Sequence, residues 1–233
     1  KLWSFQSGKR IIGTPAVSEG IVVFGSADRN IYGLNAENGQ LLWKVVAQEP
    51  VIGAVTIDNG LAYVGASDHT FRAIDIHTGK VVWSYDKVKG YIETKPLITD
   101  NKVIFGAWDN TLYALDKNDG KEIWKWTGGL TRMHFSPAAV WPVAAEGKVF
   151  IADPQRALTA IDLENGKTVW RTFESQVRET VGLSEDGKQI YSKTMNDSIV
   201  CYATQGDEPK KLLASNAGFG YENAPSLPQE KEG

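Results

Sequence analysis

The stretch AIDIHTGKVVW, residues 73–83, decides the fold, because the chain carries its pattern four times. The other copies are GLNAENGQLLW (33–43), ALDKNDGKEIW (114–124) and AIDLENGKTVW (160–170), and all align without gaps. Trp43, Trp83, Trp124 and Trp170 stand 40, 41 and 46 residues apart, and Gly39, Gly79, Gly120 and Gly166 each precede one by four. Trp3 lies 40 before Trp43, so the chain opens on the tail of another unit. A weaker copy from Cys201 to Leu213 lacks both the aspartate and the tryptophan. A sandwich of this length would not repeat its sequence; a period near 40 marks a repeat architecture.

Each unit also repeats upstream of this stretch. IVVFGS (21–26), AYVGAS (62–67), VIFGA (103–107) and VFIA (149–152) are short, β-branched and aromatic, as strands are. Turn residues precede them at Ser18-Glu19-Gly20, Asp58-Asn59-Gly60, Thr99-Asp100-Asn101 and Glu146-Gly147, with Asp186-Gly187 in the fifth unit. Further turns follow at Asp28-Arg29-Asn30, Asp68-His69-Thr70 and Asp109-Asn110-Thr111, and the Asn-Gly type series comes last. Three turns cut each unit into four strands, and no window shows helical periodicity. The expectation is an all-β chain, a β-propeller of four-stranded antiparallel blades. About five blades are complete, with partial strands at both ends: an outer strand at 1–6 and a first strand at 219–228. Residues 1–228 form the propeller and 229–233 a polar tail.

Composition narrows the function. The chain has 233 residues, 42% apolar and 23% charged, with net charge −3 and no basic run, which argues against a nucleic-acid surface. No stretch approaches the roughly 18 apolar residues of a membrane helix. One cysteine, Cys201, excludes an intrachain disulfide, and three histidines in different repeats give no metal-ligand spacing. Asp75, Asp116 and Asp162, with Asn35 in the first unit, recur once per unit, which points to turn capping rather than catalysis.

The pattern Ala-x-Asp-x-x-Thr-Gly-Lys-x-x-Trp, met in full at 73–83, resembles the tryptophan-docking motif of the quinoprotein (PQQ-repeat) propellers. The resemblance implies that Trp43, Trp83, Trp124 and Trp170 dock between blades, each against an alanine of its own repeat and one of the glycines of the next. It also implies an extracytoplasmic, periplasmic setting. That family holds dehydrogenases with pyrroloquinoline quinone and calcium as well as cofactor-free members, such as an outer-membrane assembly lipoprotein. Its usual seven or eight blades exceed what this chain supplies, so a fragment of a larger ring is expected. Self-association through residues 1–12 and 217–228 is expected if the ring is incomplete.

In a propeller the loops between blades share one face with the hairpins joining second and third strands. That face gathers Tyr91, Trp108, Arg132, His134, Arg156, Arg178 and Tyr221, a mixture of arginines and rings suited to interaction. Trp126, two residues after Trp124, is expected in the core, whereas Trp108 and Trp141 are out of phase and candidates to line a site. The expected function is a non-catalytic module that binds a protein or a small anionic ligand there, with no cofactor and no catalytic residue. The alternatives are a fragment of a quinoprotein dehydrogenase, binding quinone and calcium, and a sensor or docking domain fused to an absent enzyme. A single cysteine weighs against the quinone, since the dehydrogenases sandwich it between a tryptophan and a vicinal disulfide.

Overall fold

A computed structural model of the chain describes residues 1–128 and 140–216. Among these residues there is no helix, and the strands make five four-stranded sheets in chain order. The first holds β1 (Ala16–Ser18), β2 (Ile21–Gly25), β3 (Asn30–Asn35) and β4 (Leu41–Val46). The second holds β5 (Thr56–Asp58), β6 (Leu61–Gly65), β7 (Phe71–Asp75) and β8 (Val81–Tyr85). In the third are β9 (Leu97–Ile98), β10 (Lys102–Gly106), β11 (Thr111–Asp116) and β12 (Glu122–Thr127). The fourth has β13 (Val143–Ala145), β14 (Lys148–Ala152), β15 (Leu158–Asp162) and β16 (Thr168–Thr172). The fifth has β17 (Val177–Leu183), β18 (Gln189–Thr194), β19 (Ser198–Ala203) and β20 (Lys211–Asn216).

Turn chemistry sets these boundaries. Glu19-Gly20, Asn59-Gly60 and Glu146-Gly147 all hold positive φ, the conformation of a two-residue type I′ hairpin. The third unit has no glycine there, and Thr99 closes its turn by donating its amide to the Lys102 carbonyl at 2.9 Å. The last turn of each repeat is capped as expected: Asp75 Oδ1 accepts the amides of His77 and Thr78 at 3.1 and 2.8 Å. Asn35, Asp116 and Asp162 do the same for their own turns.

The core lies between sheets rather than within one. Ile21, Val23 and Ile31 of the first sheet pack on Ala62, Val64 and Ile74 of the second, whose other face offers Tyr63, Phe71 and Ala73 to the third. Phe71 and Phe105 stack there at 4.0 Å. Central strands are therefore buried on both faces, β10 and β14 along their whole length, which explains their continuous apolar reading.

At the blade joints, four indoles repeat one arrangement. The Nε1 groups of Trp3, Trp43, Trp83 and Trp124 donate to the carbonyls of Ala36, Ile76, Lys117 and Leu163 at 2.9, 2.6, 3.0 and 2.9 Å. A Cβ added to Gly39, Gly79, Gly120 or Gly166 would meet those rings at 2.5–2.8 Å, and φ there is +71° to +74°. Both facts demand glycine. On its own sheet each docking indole lies opposite a small residue, Gly33 for Trp43, then Ala73, Ala114 and Ala160, and the register shifts just beyond it. Residues 1–6, expected as an outer strand, carry no strand pairing, yet Trp3 docks on Gly39 as its counterparts do.

The fifth joint differs. Trp170 is buried, stacks on Tyr202 at 6.4 Å, and leaves Nε1 without a hydrogen bond. The equivalent carbonyl, that of Thr204, faces the Lys148 ammonium at 3.4 Å instead. Between β19 and β20 the last turn is two residues longer than in the first blade, with Ala203 bonding Lys210 where Asn35 bonds Gln40, and Gly206 meets no ring. In the fifth sheet Cys201 and Leu213 face each other where the other sheets pair the small residue with the indole, and Leu213 is 59% exposed.

Candidate functional site: the loop face

Backbone bonds sort the connections onto two faces. Val51 and Ile92 of the inter-blade loops donate their amides to the hairpin carbonyls of Ser26 and Ala66, and Ser67 of the second hairpin donates to the loop carbonyl of Pro50, so these segments lie together. On the opposite face the last turns of each unit lean on the first, as Ala36 does on Gly20, Ile76 on Gly60 and Leu163 on Gly147.

In the first three blades a carboxylate ties the hairpin to the loop before it. Asp28 accepts from the Gly8 amide at 2.7 Å, the Asn30 amide at 3.1 Å and the Tyr32 hydroxyl at 2.7 Å. Asp109 repeats this with Lys89, Thr111 and Tyr113 at 2.9, 3.1 and 2.6 Å. Asp68 takes Gln48, Thr70 and, in place of tyrosine, both Nη atoms of Arg72 at 3.0 and 2.5 Å. Burial alone would push the Asp28 and Asp68 carboxyls up. The bonds from Tyr32 and Asn30 and from Arg72 and Gln48 outweigh it, holding Asp28 and Asp68 below the ordinary 3.8. Burial, then Asp28, pushes the Tyr32 hydroxyl up to about 12. In the fourth blade Gln155 holds that position, and Asp153, two residues earlier, binds Arg171 Nε at 2.5 Å.

The expected site residues distribute unevenly over this face. Tyr91 and Trp108 come together: the Trp108 amide donates to the Tyr91 carbonyl at 2.9 Å, and the side chains are 52% and 40% exposed. His69 stands edge-on to the Tyr91 ring at 5.4 Å. Arg156 sits in the fourth hairpin with φ of 66°, its amide donating to the Asp153 carbonyl at 2.9 Å. Arg178 lies on β17 opposite Lys193 and is partly buried. Arg132, His134 and Tyr221 fall outside the described residues. Trp126 is in the core, as expected, its Nε1 donating to Thr168 Oγ1 at 2.9 Å.

Sequence reasoning missed the concavity beside Tyr91. A cavity of about 470 Å³ is lined by Ile12, Glu49, Pro50, Ile52, Tyr91 and Glu93 among others. A second, of about 230 Å³, shares Ile12, Ile52 and Glu93 and reaches Trp141. A third, of about 320 Å³, continues from Trp141 to Leu97, Val143 and Val181 on the inner strands. Lys95 stands 5.3 Å over the Trp141 ring. Ile12, Ile52 and Glu93 each lie four residues before the first strand of their sheet. One slot of the repeat reading Ile, Ile, Glu was the available signal.

The opposite face is more active than its turn residues suggested. Glu164, a turn residue, accepts from the Lys102 ammonium at 2.9 and 2.8 Å, and that lysine is 1% exposed. His77 Nε2 lies 3.1 Å from Glu19. Among the described residues no three carboxylate, histidine or cysteine side chains cluster as a metal site would require. Among the described residues no helix is long and apolar enough to cross a membrane.

Comparison with solved structures finds BamB from Moraxella catarrhalis at TM-score 0.75 and 22% identity, over 94% of this chain and 66% of that one. The quinohemoprotein alcohol dehydrogenase ADHIIG from Pseudomonas putida HK5 matches at 0.69 and 18%, over 93% and 43%. The quinohemoprotein alcohol dehydrogenase from Comamonas testosteroni matches at 0.71 and 17%, over 92% and 44%. At these identities the likeness is one of fold, and the chain spans less than two thirds of each. No curated protein matches. A family model described as outer membrane protein assembly factor BamB matches residues 1–205, and with its docked four-stranded sheets the chain belongs to that PQQ-repeat β-propeller family.

Proposed function

We propose that the chain is a non-catalytic propeller module that binds a protein, or a small anionic ligand, on its loop face. One observation carries this reading: the exposed Tyr91, Trp108 and Trp141 and the contiguous cavities all lie with the inter-blade loops. The other face spends its polar groups on its own turns and on Lys102, Lys117 and His77. The family description, an outer-membrane assembly factor, supports protein partners and an extracytoplasmic, periplasmic location. Arg156 and Arg178 support the anionic preference, since guanidinium forks read carboxylates and phosphates. As a unit, residues 1–228 fit a portion of a larger ring.

The dehydrogenase reading fits these residues less well. A single buried cysteine cannot supply a vicinal disulfide, and no carboxylate cluster for calcium forms among the described residues. A titration of the chain with an acidic peptide at low and high salt tests the proposal. Binding should weaken as salt rises and on Arg178→Ala, while Glu37→Ala changes nothing. A partner that maps to the Glu37 side would overturn the face assignment. Saturable uptake of quinone with calcium would favour the dehydrogenase instead.

A further inference from the structure

We propose that the cavity between the loops of the first three blades receives a basic side chain, a lysine or arginine borne on an apolar segment of a partner protein. The proposal deepens the loop-face reading and gives the two halves of that face opposite preferences. At about 470 Å³ the cavity falls within the range of about 300–1,000 Å³ typical of ligand pockets. Its walls are apolar at Ile12, Pro50 and Ile52, and Tyr91 presents a half-exposed ring.

Both ionisable groups in the lining that carry charge at neutral pH are carboxylates. Glu93 is half-buried and, among the described residues, makes no hydrogen bond or ion pair, although it lines both this cavity and the next. Glu49 has only Arg29 at 4.0 Å, with both side chains more than half exposed, a pair that holds weakly. A carboxylate held partly out of water without a partner is costly, and a cation offsets that cost. The aliphatic stem of lysine or arginine covers Ile52 and Pro50 while its head reaches Glu93, and the Tyr91 ring adds a cation–π contact. A phosphate or carboxylate would face Glu93 with like charge and is rejected. The aspartates nearby do not compete, because Asp28, Asp68 and Asp109 are already engaged by amides, tyrosines and Arg72.

The test is a titration of the 15N-labelled 233-residue chain with the capped tripeptide Leu-Lys-Leu, against Leu-norleucine-Leu and Leu-Glu-Leu. The lysine peptide should shift the amides of Ile12, Ile52, Tyr91 and Glu93, and bind about tenfold more tightly than the norleucine peptide. Glu93→Gln should erase most of that difference, and Tyr91→Ala should weaken binding about threefold to tenfold while the other amide resonances stay in place. Equal binding of the norleucine peptide, tighter binding of the glutamate peptide, or no shifts at these amides would each overturn the proposal. The anionic reading is read separately, by the acidic-peptide titration, so failure here and failure there are separately visible.

Discussion

Glycine at the joints answers two demands, and substitution separates them. Gly60 and Gly120 have nearly the same φ, +74° and +73°, but a Cβ at Gly60 meets nothing while one at Gly120 lies 2.5 Å from Trp83. Gly60→Ala should cost about 1 kcal/mol from backbone strain alone. Gly120→Ala should cost about 1–3 kcal/mol more, read as a larger fall in melting temperature. Equal losses would mean that the indole does not press on that turn. The indoles divide in the same way. Trp83→Ala opens a buried cavity and should cost about 3–5 kcal/mol, whereas the surface Trp108→Ala should cost under about 1 kcal/mol. Trp124→Phe leaves the Leu163 carbonyl without its donor, while Trp170→Phe removes an N–H that already has no acceptor. The first should be worse by about 1 kcal/mol in urea denaturation.

At the scale of elements, the carboxylates that pin hairpins to loops predict how stability follows pH. Asp28 and Asp68 lie below the ordinary 3.8 in the folded chain. Their contribution is therefore complete above that value and fades as pH falls through the lowered one. Tyr32 runs the other way: raised to about 12, it contributes fully below 10 and is lost as pH climbs through 12. Asp68→Asn should flatten the acid limb of a melting-temperature profile and leave the alkaline limb alone. An unchanged acid limb would show that the Arg72 clamp contributes nothing to folding. The sequence showed these turns as turns, because Asp-x-Asn and Asp-x-Thr are local signals. It hid the clamp, because the loop amides sit 20 residues upstream and the fourth member is tyrosine in two blades and arginine in one.

For the whole molecule, the repeat made the architecture readable because every joint poses the same steric problem and takes the same residues to solve it. The cavity was not readable by that route. Its lining changes from unit to unit, Ile12 and Ile52 giving way to Glu93, and there similarity between units stops helping. The fifth sheet is where the joint itself relaxes: Trp170 lacks an acceptor, and β18 alternates in burial where β10 is wholly buried. Native-state hydrogen exchange should therefore find the amides of β18 and β19 opening before those of β10 and β11. Slower exchange in the fifth sheet would contradict this ranking of joints.

Each of the first four joints is made by an indole from an earlier unit and a carbonyl from a later one, and that direction matters to a chain leaving a ribosome. The acceptors trail their tryptophans by 33, 33, 34 and 39 residues. At about 5–20 residues per second, translation delivers each acceptor within roughly 2–8 s of its indole. Until then the newest blade carries its docking indole uncovered at its growing side, in the second blade together with Tyr63 and Phe71. A unit duplicated in such a chain inherits a ready plug and a ready socket, so blades can be added in tandem without redesigning their neighbours.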